Sequence, residues 1–180
     1  PSHTMAEGVV WTPDESVVRV GTDGFIRQVV AKPDSLVQPG EVLFIAEHPR
    51  FQAEARVLAA RVTELQARYA EQRPIDLVKA AIIQEELAYA RDQLDRTQRR
   101  LDDLVVRSRA AGQFVLPTPQ DLPGRFVKQG EVLAHVVDRR RLTVRAVVPQ
   151  ADIDLVRTQD PGVEVRLAER VQARYRAAVA

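Results

Sequence analysis

Residues 36–43 read LVQPGEVL, and residues 126–133 read FVKQGEVL. The two octads share Val, Gly, Glu, Val and Leu at the same relative places, ninety residues apart. Pro39-Gly40 is the preferred pair for the centre of a type II turn, in which glycine supplies the positive φ. Gly130 has the same place in the second octad as Gly40 has in the first. A β-motif written twice in one chain predicts two structurally equivalent halves.

The segment between the octads, residues 49–105, has the periodicity of helices. Pro49 suits a first helical turn, and Pro74 in Gln72-Arg73-Pro74 breaks the helix. Apolar residues step by three and four in both segments, and charged residues fill the positions between them, which predicts an antiparallel coiled-coil hairpin about 35–45 Å long. These residues are Phe51, Ala55, Leu58, Val62, Leu65 and Tyr69, then Ala80, Ile83, Leu87, Ala90, Leu94, Thr97, Leu101 and Leu104. Leu58, Val62, Leu65, Leu87, Leu94 and Leu101 are expected to bury one another. A generic helix pair in a globular core is the weaker alternative.

The second helix carries extra apolar residues near the break, without counterparts on the first helix. They are Ile75, Val78, Ala81 and Ile82. Either the second helix overhangs, or residues 70–82 form a separate helical turn folded over the tip. Exposed apolar side chains at the end of a rod favour a protein-binding site at Ile75, Val78 and Ile82, and a self-capped tip is the alternative.

Turn signals and β-branched residues predict strands on both sides of the insert. Each β-motif is too small to bury a core, so the two copies should pack about a pseudo-twofold axis as a small β-sandwich. The predicted strands cover residues 6–12, 16–20, 25–30, 41–46, 114–116, 131–137, 142–148 and 163–167, with a short helix at 151–156 and a strand or frayed end at 168–180.

Composition excludes several classes of protein. The 180 residues carry a net charge of +1, so no bulk field favours nucleic acid. Without cysteine there is no disulfide framework and no thiol nucleophile. No apolar run reaches the roughly eighteen residues of a membrane span. Residues 1–5 resemble a cloning remnant before an excised segment, so we expect a soluble piece of a larger protein.

The order of elements resembles the periplasmic adaptors, also called membrane fusion proteins of the HlyD type. That resemblance implies a mixed α and β fold: a lipoyl/biotinyl-like β-sandwich split by an antiparallel coiled-coil hairpin, followed by part of a β-barrel. It assigns residues 16–48 and 106–138 to the sandwich, 49–105 to the hairpin, and 6–15 with 139–180 to the partial barrel. The similar stretches are 24–26 with 37–43, 106–112 with 127–133, and 147–156.

The resemblance implies a non-enzymatic, extracytoplasmic (periplasmic) adaptor or scaffold in an export or efflux assembly. Its partner would be a membrane protein or a fused transmembrane region outside this segment, and a homo-oligomer is left open. Within the family, residues 121–127 and 147–154 are most similar to segments fused to site-2-type (M50-like) membrane zinc metallopeptidases. The alternative function is therefore a substrate-presenting or regulatory domain of such an enzyme. H-E-x-x-H is absent, so any peptidase activity would lie outside this segment.

Two departures from related patterns limit the inference. Adaptors that dock an outer-membrane channel often carry R-x-x-L followed by serine at the tip, whereas Arg91-Asp92-Gln93-Leu94 lies mid-helix and Leu101 replaces the serine. Lipoyl carriers present an acceptor lysine on a turn that the hairpin replaces here. We therefore expect no covalent cofactor on Lys32, Lys79 or Lys128, and no small-molecule cofactor.

Other residues with chemical potential have ordinary interpretations. His48 and His135 could meet near the hairpin base and hold a metal, but two lone histidines are usually tolerated residues, and His3 lies in the remnant. Trp11 is interpreted as a packing residue at the barrel edge. Arg139, Arg140 and Arg141, with Arg145, form either a basic patch or, more simply, a solvated linker. No catalytic, cofactor-binding or metal site is predicted.

Overall fold

The computed structural model describes residues 4–158 and 162–179. The chain divides into a core unit, Thr12–Leu142, and a flanking unit, Pro1–Trp11 with Thr143–Ala180. The helices are α1 (Pro49–Gln72), α2 (Leu77–Asp102) and α3 (Ile153–Thr158). The strands are β1 (Gly8–Trp11), β2 (Val17–Arg19), β3 (Gly24–Val29), β4 (Leu36–Val37), β5 (Val42–Glu47), β6 (Val105–Arg107), β7 (Gly112–Val115), β8 (Phe126–Val127), β9 (Val132–Val137), β10 (Thr143–Ala146), β11 (Val163–Leu167) and β12 (Arg170–Ala177).

The predicted hairpin is confirmed. Helix α1 has 24 residues and α2 has 26, so at about 1.5 Å per residue each is about 36–39 Å long. The residues predicted for the seam are all buried or half-buried, and the charged residues of α1 and α2 between them are exposed. In the described part of the chain, no helix is both long and apolar enough to cross a membrane.

Two four-stranded antiparallel sheets form the β-core of the core unit. One sheet has the strand order β2-β9-β7-β4 and the other has the order β6-β5-β3-β8. Each sheet therefore takes strands from both sides of the hairpin. The short strands β4, β6 and β8, with two or three residues each, were not predicted, because so short a run has no measurable periodicity.

The two halves of the β-core are related by matching hydrogen bonds at their repeated turns. Gly40 and Gly130 have φ of +87° and +81°, as the turn prediction requires. Arg107 Nη1 donates to the Gly40 carbonyl at 2.9 Å, and Arg19 Nη1 donates to the Gly130 carbonyl at 3.1 Å. Each arginine lies on the opposite half from the turn it holds, so each half closes the other.

Side chains from both halves fill one apolar cluster between the sheets. Phe44 and Phe114 are fully buried and meet edge-to-face, with ring centroids 5.5 Å apart. Ile26, Val37 and Val127 are also fully buried in this cluster. One half alone is too small to form such a closely packed cluster, so the two halves pack together, as the sequence predicts.

The described residues of the flanking unit form two separate antiparallel strand pairs. Strand β1 pairs with β10, and β11 pairs with β12. Arg145 lies over the Trp11 ring, 3.7 Å from its centroid, so the indole packs against a cation on the neighbouring strand. Residues 170–177 are a strand, which resolves the two alternatives left for the end of the chain. The assignment of this unit to a partial β-barrel stays a prediction.

Candidate functional site

The hairpin is joined to the β-core by apolar packing at its base. Leu104 is buried in the β-core cluster, and Leu101 packs against that cluster from the last turn of α2. The Leu104 carbonyl accepts a hydrogen bond from the Ala46 amide at 2.8 Å. The expectation that Leu101 is buried within the helical seam is therefore wrong: the helix ends against the sheet, and the sheet covers that side chain.

A ring stack marks the point where the chain enters α1. His48 has extended backbone angles, with φ −142° and ψ 96°, and it precedes Pro49 at the first helical position. Its imidazole stacks on Phe51, with centroids 3.8 Å apart and planes 12° apart. Arg100 of α2 lies 5.4 Å from the Phe51 centroid, so the stack bridges the two helices. His48 Nδ1 is buried and makes no hydrogen bond within the described residues.

The hairpin shaft has a narrow apolar seam and a charged exterior. Val62, Leu65, Ile83, Leu87 and Ala90 form the buried cluster, with Tyr69 and Leu94 packed against it. Across the helices, Arg61 Nη2 lies 3.5 Å from Glu86 Oε2. Exposed ion pairs of this kind contribute only tenths of a kcal/mol each, so the seam supplies most of the stability.

Oppositely charged residues one helical turn apart also form ion pairs along α2. Arg96 pairs with Asp92, and Arg99 pairs with Asp95. The Arg96 guanidinium donates a hydrogen bond to the Asp92 carboxylate, and this contact raises the pKa of Arg96. The Arg96 guanidinium is exposed and stays charged at any physiological pH.

The tip contains a cluster of exposed aliphatic side chains. Ile75 is 74% exposed, Val78 is 71% exposed and Ile82 is 54% exposed. Leu77, at the first position of α2, is 75% exposed at the same end of the hairpin, although it was not among the predicted residues. We call Ile75, Leu77, Val78 and Ile82 the tip patch. The exposure rules out the alternative in which a separate helical turn caps these side chains, and their role in binding stays a prediction.

The turn that presents the tip patch is short and hydrogen-bonded. The amides of Ile75 and Asp76 both donate to the Gln72 carbonyl at 2.9 Å. The Asp76 carboxylate caps α2 by accepting from the amides of Val78 at 3.0 Å and Lys79 at 3.1 Å. A cap of this type stabilises a helix start by about 1 kcal/mol. The tip patch is therefore held on regular, capped helix ends.

A shallow groove adjoins the tip patch between the two helices. Its volume is about 240 Å³, and it shares Ile82 with the patch. The groove combines cations and carboxylates around an apolar floor, which is suited to contact with a protein surface and offers no enclosed pocket for a small molecule. The lining residues are Arg68, Glu71, Gln72, Lys79, Ile82, Ile83 and Glu86.

The remaining candidate residues are not brought into a chemical site. His135 lies on β9 and pairs with Val17 of β2, whereas His48 belongs to the stack at the base of α1. The described residues contain no group of three or more His, Cys, Asp or Glu side chains that could hold a metal ion. Arg139, Arg140 and Arg141 are exposed in the chain between β9 and β10, and both interpretations, a solvated linker and a basic patch, stay predictions.

Known structures share this architecture, although no protein-family model and no curated protein matches the chain. A MacA–MexA chimeric protein that contains the Pseudomonas aeruginosa MexA α-hairpin domain has a TM-score of 0.69 and 14% identity, over 96% of this chain. The membrane fusion protein Spr0693 from Streptococcus pneumoniae has a TM-score of 0.60 and 18% identity, over 96% of this chain and 82% of its own.

The periplasmic adaptor protein EmrA gives a TM-score of 0.60 with 11% identity, over 96% of this chain and 86% of its own. The chain spans 62% of the length of the chimera and 59% of another matched structure. At these identities the likeness concerns the fold. The chain has the fold of membrane fusion proteins and periplasmic adaptors, as the resemblance in its sequence predicted.

Proposed function

We propose that this chain is the hairpin-bearing segment of an extracytoplasmic adaptor, which binds another protein of an export or efflux assembly through the tip patch. The segment has no catalytic part in this assembly. Parts of the protein outside the segment, or a membrane protein partner, hold it at the membrane. Substrate handling belongs to those partners, and the segment supplies distance and a contact surface.

One observation carries this proposal: a rigid two-helix rod ends in exposed aliphatic side chains. Ile75, Leu77 and Val78 together occupy the turn and the first two positions of α2, and each is more than two-thirds exposed. Burying one such side chain against a partner would contribute about 1.5–3 kcal/mol. These side chains add little to the hairpin's own seam, so their exposure favours a role in contact with another protein.

The proposal predicts that acidic substitutions in the tip patch separate binding from stability. Val78→Asp and Ile82→Asp should reduce partner capture strongly, because each puts a charge into an apolar contact. They should change the melting temperature little, because surface substitutions usually stay within about 0.5 kcal/mol. Val57→Asp is the matched control, since Val57 is an exposed valine on the shaft of α1.

Photo-crosslinking in the cells that express the full-length protein measures partner capture directly. A crosslinking amino acid replaces Ile75 in the original protein and in each aspartate variant, and thermal melts of the purified proteins run in parallel. The proposal requires one recurrent protein adduct that disappears with Val78→Asp and Ile82→Asp and persists with Val57→Asp. Variants that melt much lower with unchanged adducts would identify the tip as part of the folded core and contradict the proposal.

The alternative role, as a presenting or regulatory domain of a membrane zinc metallopeptidase, stays a prediction of the sequence resemblance. In both roles this segment takes no part in a catalytic reaction. They differ in the parent protein, where an H-E-x-x-H motif within hydrophobic spans would indicate the peptidase.

A further inference from the structure

The strand pairings divide the core unit into two arms that depend on each other. The first arm contains β2 to β5 and α1, and the second arm contains α2 and β6 to β9. Four pairings join strands of different arms: β2 with β9, β3 with β8, β4 with β7, and β5 with β6. The pairings of β3 with β5 and of β7 with β9 lie within one arm. Each arm alone therefore leaves sheet edges and an apolar face uncovered.

The helices follow the same division as the strands. The buried seam of the hairpin lies between α1 of the first arm and α2 of the second. Only residues 73–76 connect the arms covalently, and they make turn and capping contacts rather than core contacts. The strand pairings and the helical seam between the arms can therefore also be made by the corresponding arm of a second copy.

We propose that a second copy of this chain is a partner for these arm surfaces, through a dimer in which the two copies exchange arms. This inference goes beyond the adaptor role and does not depend on it: the tip patch of the adaptor role belongs to the monomer, because residues 73–76 no longer form a hairpin tip in the exchanged dimer. In the dimer, the turn at residues 73–76 opens, and each β-core combines the first arm of one copy with the second arm of the other. Such an exchange keeps the native strand pairings and the helical seam and loses only the contacts of the hinge, which makes it a low-cost route to a symmetric dimer.

Two residues of the hinge oppose this exchange and so set the balance with the monomer. Pro74 has no amide hydrogen and its ring disfavours a helix interior, so it resists a continuous helix from α1 into α2. Asp76 holds extended angles, φ −144° and ψ 102°, while its carboxylate caps the new helix. Replacing both with alanine removes these barriers. Residues 49–102 could then form one helix of about 80 Å at about 1.5 Å per residue.

The β-core also selects unlike arms over like ones. Phe44 of the first arm matches Ala134 of the second at the offset of ninety residues. Ile26 matches Phe114, because Gly24 pairs with Val127 just as Gly112 pairs with Val37. The native core therefore contains two phenylalanines, one isoleucine and one alanine at these positions. Two first arms would put phenylalanine at the place of Ala134 and isoleucine at the place of Phe114, and two second arms would put alanine at the place of Phe44 and phenylalanine at the place of Ile26. Overpacking or a cavity disfavours both, so the dimer should retain one arm of each kind per core.

Disulfide trapping between different copies tests the exchange, because the protein has no cysteine of its own. Leu36 and Gln113 are Cα partners across β4 and β7, which belong to different arms. Paired positions in antiparallel strands lie about 4.5–5.5 Å apart, within the reach of a disulfide. One copy carries Leu36→Cys and the other carries Gln113→Cys. The control pair is Phe25→Cys and Glu47→Cys, which are partners within the first arm.

The two copies are unfolded together, refolded at increasing concentration, oxidised and measured by non-reducing electrophoresis and light scattering. The experiment uses the full chain with its original hinge and, separately, with Pro74→Ala and Asp76→Ala. We expect a covalent 36–113 dimer that increases with concentration, little 25–47 dimer, and a yield at least tenfold higher with the alanine hinge. With the original hinge, the absence of a 36–113 product, or equal yields from both pairs, would overturn the proposal. Equal yields from both hinges would overturn the role given to Pro74 and Asp76.

Discussion

The β-core and the hairpin differ in where their stabilising contacts come from. In the β-core, Val37 and Val127 are fully buried, and they come from copies of the motif ninety residues apart. In the hairpin, the helices contact each other along one stripe, and only Val62 and Leu65 of α1 are buried. The β-core therefore depends on contacts between segments far apart in the chain, whereas the hairpin is held by one periodic seam between two successive helices.

Removing the hairpin is the largest test of this comparison. Replacing residues 49–100 with a Gly/Ser linker should abolish most of the helical circular dichroism signal and leave a cooperative β-core transition, since Leu101 and Leu104 are retained to cover the sheet. Thermal melts followed in the far and near ultraviolet measure both effects. A truncated chain without any melting transition would show that the halves of the β-core need the hairpin in order to assemble.

Truncation of the buried aromatic pair tests the β-core itself. Phe44→Ala and Phe114→Ala should each lower the free energy of unfolding by about 3–5 kcal/mol, because each leaves a cavity in a fully buried cluster. Urea denaturation of the single and double variants gives their coupling, which we expect to be about 0.5–1.5 kcal/mol.

The exposed aromatic pair Phe25 and Phe126 is the matched control for this prediction. Their ring centroids lie 5.1 Å apart in a similar edge-to-face arrangement, but both rings are only half-buried. Alanine at Phe25 or Phe126 should lower the free energy of unfolding much less than alanine at Phe44 or Phe114. Equal losses from both pairs would indicate that ring geometry outweighs burial in this fold.

A seam substitution should affect the hairpin locally. Leu65 is 1% exposed, so Leu65→Ala should lower the free energy of unfolding by about 2–5 kcal/mol. Leu58 is half-buried, so Leu58→Ala should lower it clearly less. Hydrogen exchange measured along the chain should show lost protection in α1 and α2 while β5 and β9 stay protected. Equal loss of protection in those strands would mean that the hairpin and the β-core unfold as one cooperative unit.

The smallest expected effect comes from a backbone difference between the two halves. Asp34 has φ +65°, and the position ninety residues later is Gly124, with φ +83°. The Asp34 amide donates to the Phe114 carbonyl, and the Gly124 amide donates to the Ile26 carbonyl, so each bond joins the two halves. Glycine adopts this conformation more easily than aspartate, so Asp34→Gly should raise the stability by up to about 1 kcal/mol.

Gly124→Asp is the reciprocal variant and should lower the stability by a similar amount. A Cβ at Gly124 would meet no atom within 4 Å, so the backbone angle is the only cost expected there. Calorimetry of both variants compares the two halves at matching positions. A loss of stability in Asp34→Gly would show that side-chain interactions of Asp34 outweigh its backbone angle.

The sequence predicted those features that depend on local periodicity or on the repeated motif. The seam of the hairpin, its break near Pro74 and the positive φ of Gly40 and Gly130 all have direct signals in the chain. The candidate site at Ile75, Val78 and Ile82 was likewise predicted from a surplus of apolar residues with no facing partner, and their exposure follows the same logic.

Local patterns carry no information on how separated segments pair, and only the tertiary structure decided those features. The strands β4, β6 and β8 exist because a neighbouring strand of the other half offers its hydrogen-bonding edge, not because two or three residues have β periodicity. Leu101 matches the helical heptad, yet it packs on the β-core because α2 ends against a sheet. Leu77 is part of the tip patch because the turn places it there. The sequence by itself thus determined the two elements and their repeat, and the long-range packing of one half against the other determined which surfaces remain exposed.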